Sequence, residues 1–270
     1  MSASTLIDAP GNPTFATFDV FDLGRRAAAA RDVRTGGRAS FARTRQLLGT
    51  GAWRGPRDAS ESYVEASDLP ALAGLGTAAA AGVRLLVGAF GLEAHRTAVG
   101  LGMRSLWRVE FRSGESGSER RARLDDLARR TRAVAEPGTG TGTGASTDVE
   151  TDNHLALALS PWGVMPTPIG EAEGLDTLRL VATLRLELPE IPHVVLDVAA
   201  LGPRLAQMAL GFGGDELWAP IVSERALRLG GNANNPSMTR KEAAILIRGA
   251  GLTPCERIAP ESYRQEEQES

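Results

Sequence analysis

The sequence predicts an α/β chain built on a parallel sheet or barrel, and three observations carry that expectation. Short apolar segments bounded by glycines recur along the 270 residues, and capped helical segments alternate with them. The best-punctuated stretch, Glu190–Arg257, reads as a strand, a helix, a Gly-Gly-acid-acid turn and two further helices. With 42% hydrophobic residues the chain is able to bury a full core, so a single α/β domain over 18–260 is expected. Residues 1–17, which include Pro10, Gly11 and Pro13, read as a flexible arm, and 261–270 as a disordered tail.

Taken in order, the alanine-rich run from Asp19 to about Val33 favours a helix that Gly36 and Gly37 stop. RASFARTRQLL then reads as a first strand with Ala39, Phe41 and Leu47 inward, and residues 49–62 as loop. A helix is expected from Ser67 to Gly82, followed by strands in GVRLLVGAF and SLWRVEF, residues 105–111. Ser116 and Glu119 have capping-box spacing and open a helix to Ala135, with Leu124, Leu127, Ala128 and Thr131 on one face. Residues 137–147 are a low-complexity Gly/Thr loop; with no Gly-Lys-Ser/Thr after its glycines, a linker explains it better than a phosphate cradle.

HLALALSPW reads as a strand leading into a loop at Pro161. GLDTLRLVATLRLELPE carries both periodicities, and its length favours helix. HVVLDV is a strand and PRLAQMAL a helix with proline in its first turn. A helix from Ile221 to Leu229 and another opening at Thr239, with Glu242 as its box partner and a stop at Gly251, complete the domain.

The formal net charge of -3 supplies no basic field for nucleic acid or an anionic membrane, and Lys241 is the sole lysine. One cysteine, Cys255, excludes an intrachain disulfide and any metal or iron–sulfur site built from several thiolates. No run of 18 apolar residues occurs and the first residues are not a basic leader, so a soluble cytoplasmic protein is expected.

Candidate chemistry centres on Asp215 and Glu216, which follow Gly213 and Gly214 beside a predicted strand, where barrel enzymes place acid–base groups. The alternative is that the glycines turn the chain while the acids cap or face solvent. Glu224 either meets a ligand or offsets a helix dipole. Trp162 either walls a pocket or packs in the core. His193, His95 and His154 lack spaced partners for a metal, and Cys255 reads as an inert thiol.

Residues 157–257 resemble the C-terminal part of the radical S-adenosylmethionine enzymes of the futalosine route to menaquinone, dehypoxanthine futalosine cyclase and aminofutalosine synthase. The residues that carry the resemblance are ALSPW, LRLVATLRLELPEIPHV, ALGPRLAQMALGFGGDEL, SERALRLGGN and TRKEAAILIRGAGLTPCERI, with GESGSERRARLDDLARR upstream. The fold implied is a (β/α) TIM-type barrel with parallel strands and C-terminal helices. Only residues 49 to 104 separate the first strand from SLWRVEF, and a strand-helix-strand unit takes about 30 residues, so the barrel is expected to be abridged or incomplete, with five or six strands.

By the same resemblance Asp215, Glu216 and Glu224 would be catalytic, and Gly213, Gly214, Trp162, Glu115 and Arg120 would bind ligand. The family's 4Fe-4S cluster and S-adenosylmethionine need a Cys-x3-Cys-x2-Cys loop after the first strand, and GTGAWRGPRDASESY contains no cysteine. Trp218 and Pro220 stand where the family has glycine and threonine, and Ser113 where it has histidine. The expected function is a cluster-free paralogue, a non-catalytic accessory or ligand-binding protein with no cofactor and no metal. Its partners would be a futalosine-like small molecule, a second copy of itself or an intact radical enzyme. The alternative is a non-radical enzyme using Asp215, Glu216 or Glu224 on a nucleoside-like substrate.

Overall fold

The computed structural model describes residues 19–54, 59, 61–67, 82–88, 95–96, 98–99, 102–112, 115, 117–135, 161–170, 174–221, 237–259 and 262–265. Helix α1 (Val20–Thr35) begins where the Asp19 carboxylate accepts the amides of Phe21 and Asp22, at 3.0 and 3.2 Å. It ends at Gly36, whose φ of 62° only glycine adopts without strain. Strands β1 (Arg38–Ala42), β2 (Thr44–Leu47), β3 (Trp53–Arg54), β4 (Glu61–Glu65), β5 (Leu85–Val87) and β6 (Arg104–Phe111) follow, then α2 (Gly117–Ala135) and β7 (Gly163–Pro168). Helix α3 (Gly174–Glu187) leads to β8 (His193–Asp197), α4 (Val198–Leu201), α5 (Pro203–Leu210) and β9 (Glu216–Trp218). Helix α6 (Arg240–Gly249), β10 (Thr253–Ala259) and β11 (Ser262–Gln265) end the described chain.

These strands form one eleven-stranded sheet in the order β11-β10-β1-β9-β8-β7-β6-β5-β4-β2-β3. Only β3 and β11 run antiparallel to their neighbours. Strand β1 pairs with β9 and β10, whereas β2 pairs with β3 and β4, yet only Arg43 separates β1 from β2. Two Cα steps span at most about 7.6 Å, so the sheet must curl until its β9 and β4 regions meet along this one bent strand. Arg43 is itself held at the bend, its Nε donating to Glu256 Oε1 at 2.8 Å.

Alternate residues of each strand divide the interior into two layers. Ala39, Phe41, Trp107, Val109, Phe111, Val164, Val194, Leu196 and Leu217 pack outward against the helices. Leu85, Val87, Leu106, Met165, Val195 and Trp218 point the other way and meet Trp162 and Tyr63, filling the concave lumen.

The observed sheet is larger than expected. Eleven strands replace the expected five or six because several are too short or too irregular to announce themselves. Residues 49–62, expected to be loop, contain β3 and the start of β4. The strand placed before Pro161 falls on 154–160, outside the described residues. The segment after it, GVMPTP, is β7 despite two prolines. The tail expected from 261 contains β11, which pairs antiparallel with β10. The helix expected from Ser67 to Gly82, the Gly/Thr loop 137–147 and the helix from Ile221 to Leu229 lie largely or wholly outside the described residues.

The Gly213-Gly214 turn has a packing reason. Gly213 has φ 101°, and a Cβ on Gly214 would stand 2.6 Å from Leu196 Cδ1 and 3.1 Å from the Ala209 carbonyl oxygen. Gly214→Ala is therefore expected to lower stability by about 1–3 kcal/mol through overpacking. A lower urea midpoint at unchanged slope would register it.

Candidate functional site

The sequence-predicted residues occupy three separate places. Asp215 lies at the N-terminal end of β9, with its side chain 1% exposed. Its Oδ1 accepts the Val194 amide at 2.7 Å and pairs with Arg185 Nη2 at 3.0 Å, and its Oδ2 meets His193 Nδ1 at 2.9 Å. Burial alone would raise this carboxyl, but the Arg185 guanidinium and His193 outweigh it and hold the group below its ordinary range. Arg185 also donates to the carbonyls of Gly213 and Pro192, both at 2.9 Å, so one ion pair ties α3, the Gly-Gly turn and the start of β8 together.

Glu216 points into the lumen, fully buried. Arg257 grips it in a fork, Nε to Oε2 at 2.9 Å and Nη2 to Oε1 at 2.7 Å, and the Ser40 hydroxyl donates to Oε2 at 2.8 Å. The Arg257 guanidinium lies 4.3 Å over the Trp162 ring, which stacks on His193 with centroids 4.6 Å apart. The Trp162 indole N–H is buried with no hydrogen-bond partner among the described residues. Trp218 meets Tyr63 edge-on with centroids 5.0 Å apart.

At the C-terminal end of the strands, Arg108 pairs with Glu65 through two bonds of 2.6 and 2.9 Å. Asp197 ends β8 there and caps α4 through the Ala199 amide at 2.9 Å. Burial pushes the Asp197 carboxyl up, partly offset by the Ala199 and Ala200 amides and by Arg108. Burial likewise drives the Tyr63 phenol to about 12. Beside this end, a cavity of about 570 Å³ opens between β6 and α2, with Arg108, Arg112, Glu115, Glu119 and Arg123 in its wall.

Glu115 thus reaches a cavity, where it is bound by Arg123. Arg120 instead pairs with Asp176 of α3 at 3.3 Å. Glu224 lies outside the described residues. Sequence reasoning passes over Arg185, Arg257, Arg108 and Asp197. Arg185 has a visible signal: a charged residue within the apolar LRLVATLRLEL helix must find a buried partner. Cys255 is buried in β10, its thiol donates to the Ala39 carbonyl at 3.4 Å, and burial raises it to about 11, as expected of an inert thiol. Among the described residues no cluster of three or more histidine, cysteine, aspartate or glutamate side chains could hold a metal ion. Nor is any described helix long and apolar enough to cross a membrane.

This curled, mostly parallel sheet with helices on its convex face is an incomplete TIM-type barrel. The solved structure of HydG, a maturase of the FeFe-hydrogenase, superposes with a TM-score of 0.51 at 10% identity, covering 89% of this chain and 70% of that one. In sequence the chain is 33% identical over 171 residues to aminodeoxyfutalosine synthase of Thermus thermophilus. It is also 32% identical over 87 residues to the enzyme of that name from Streptomyces coelicolor. A 5-amino-6-(D-ribitylamino)uracil–L-tyrosine 4-hydroxyphenyl transferase of Methanosarcina barkeri matches 109 residues at 32% identity. The chain is therefore similar in sequence to aminodeoxyfutalosine synthases, in keeping with the resemblance, and shares the fold of HydG. The match covers 62% of this chain and 42% of the Thermus protein, less than half the length of that relative. No family model matches.

Proposed function

We propose that this protein is a cluster-free relative of those enzymes that acts as a ligand-binding or accessory protein in menaquinone biosynthesis. The observation that carries this reading is the filled lumen. Trp162, Trp218, Met165 and the Glu216–Arg257 pair occupy the barrel interior. The donor set does not fit a four-iron cluster either. Residues 48–60, between β2 and β4, contain no cysteine, and Cys255 lies in β10. A four-iron cluster needs three thiolates near one strand end, and this sequence supplies a single thiol in another strand.

Acid–base catalysis by Asp215 or Glu216 is the weaker reading, because both carboxylates already meet guanidiniums in water-poor surroundings. The cavity beside Glu115 is the place for a small polar ligand of the futalosine-like nucleoside class, and its size suits one. An intact radical enzyme or a second copy of this chain would be the protein partner.

Anaerobic reconstitution with iron and sulfide is expected to leave protein without the visible absorption of a cluster and without affinity for S-adenosylmethionine. A stoichiometric four-iron cluster would overturn the reading. A futalosine-like nucleoside should raise the melting temperature by mass action, and no shift at saturating concentration would remove the ligand-binding role.

A further inference from the structure

A second cavity, of about 190 Å³, lies at the opposite, N-terminal end of the strands, away from the end where barrel enzymes carry out chemistry. Its walls come from the end of α1 (Arg34, Thr35), the start of β1 (Arg38, Ala39, Ser40), the start of β8 (Pro192, His193), Asp215, Cys255 and Tyr263 of β11.

We propose that this cavity binds a small carboxylate with an apolar body of about one ring, the carboxylate meeting Arg34 and Arg38 and the body lying against Ala39, Pro192 and the Tyr263 ring.

Charge argues for the anion. Among the described residues Asp215 is the sole carboxylate in the wall, and Arg185 and His193 already engage it. Arg34 has no ion pair among the described residues, and Arg38 donates among them only to the Thr35 carbonyl, at 2.9 Å. Partial desolvation and the neighbouring Arg185 push Arg34 below its ordinary range despite the opposing pull of Asp215 and Glu190, and a bound anion would add to that pull. Glu190 acts on Arg34 electrostatically but does not line the cavity.

Unfilled hydrogen-bond capacity argues for a ligand with acceptors. The Thr35 hydroxyl is buried in the wall with no partner among the described residues. Asp215 holds His193 by Nδ1, which leaves Nε2 toward Tyr263 Oη at a loose 3.4 Å. Size and wall chemistry argue for the apolar body. An apolar cavity of roughly 150 Å³ accepts benzene, so a ring with one carboxylate suits the space. A guanidinium pair at the rim and a ring-sized apolar chamber behind it select an amphipathic anion over a bare one.

The inference is independent of the cluster-free reading, because the cavity and the cluster loop lie at opposite strand ends. Calorimetric titration of the full chain with benzoate tests it, with benzamide as the neutral isostere and inorganic phosphate as the anion without an apolar body. Benzoate should bind, and benzamide and phosphate should each bind at least about tenfold more weakly. Arg34→Gln should weaken benzoate about tenfold or more, while Lys241→Ala, remote from the cavity, should leave it unchanged. Should Arg34→Gln fail to fold, Arg38→Gln and Tyr263→Ala make the same test from the other wall. Equal binding of benzamide, equal or tighter binding of phosphate, no benzoate binding, or benzoate binding indifferent to all three cavity variants would overturn the proposal.

Discussion

Glu216→Gln should destabilise the protein by about 3–5 kcal/mol, because it leaves the Arg257 guanidinium buried with no opposing charge. Both members of the pair are essentially inaccessible, at 1% and 0% side-chain exposure, so water cannot replace the lost carboxylate. Ser40 loses its charged acceptor at the same time. The pair need not favour stability outright, since desolvating two ions offsets much of their attraction. Glu216→Leu combined with Arg257→Met should therefore recover most of the loss. Denaturant midpoints of Glu216→Leu, Arg257→Met and the double form a cycle that isolates the coupling. If the double variant is as unstable as the sum of the two singles, Glu216 and Arg257 do not act as one coupled pair.

Legibility in the sequence depends on whether a residue's role is local. Asp19, Gly36 and the Thr239–Glu242 capping box act within one turn, and their spacing announces them. The amides and side chains that satisfy each other are three residues apart or fewer. Strand β8 is legible for a similar reason: a short apolar run buried on both faces needs no partner to be recognised. Strands β9 and β10 escape sequence reasoning because nothing local distinguishes them. GGDELW and TPCERIA carry acids, an arginine and a proline where an isolated strand would not. They become strands because Glu216 and Arg257 neutralise each other across the lumen and β1 pairs with both segments.

The same distinction decides the candidate site. Asp215 and Glu216 are adjacent in sequence and read as one acid–base pair. In a strand, successive side chains alternate, so they are sent to different environments: Asp215 to the strand start and Arg185, Glu216 into the lumen and Arg257. No sequence pattern places Arg185 and Arg257 opposite them. The filled lumen is legible in two residues: Trp162, read as a pocket wall or core packing, and Trp218, at a position where the resembling family has glycine, whose ring the structure puts against Tyr63.

Asp215→Asn should cost a similar amount at neutral pH, about 3–5 kcal/mol, and the cost should disappear in acid. The carboxyl titrates below its ordinary value of 3.8, since Arg185 and His193 outweigh the opposing effect of burial. A lowered folded-state value means that the unfolded chain takes up the proton first. The contribution of Asp215 is therefore fully present above that ordinary value and is lost as pH falls through the lower folded one. Urea midpoints of wild type and Asp215→Asn, followed from neutral pH into acid, should start far apart and converge. Arg185 keeps its bonds to Gly213 and Pro192 in the variant, so the convergence reports the charge of Asp215 and not the loss of the whole knot. An offset that stays constant across the acid range would show that the aspartate stabilises this junction by shape and hydrogen bonding, with its charge contributing nothing.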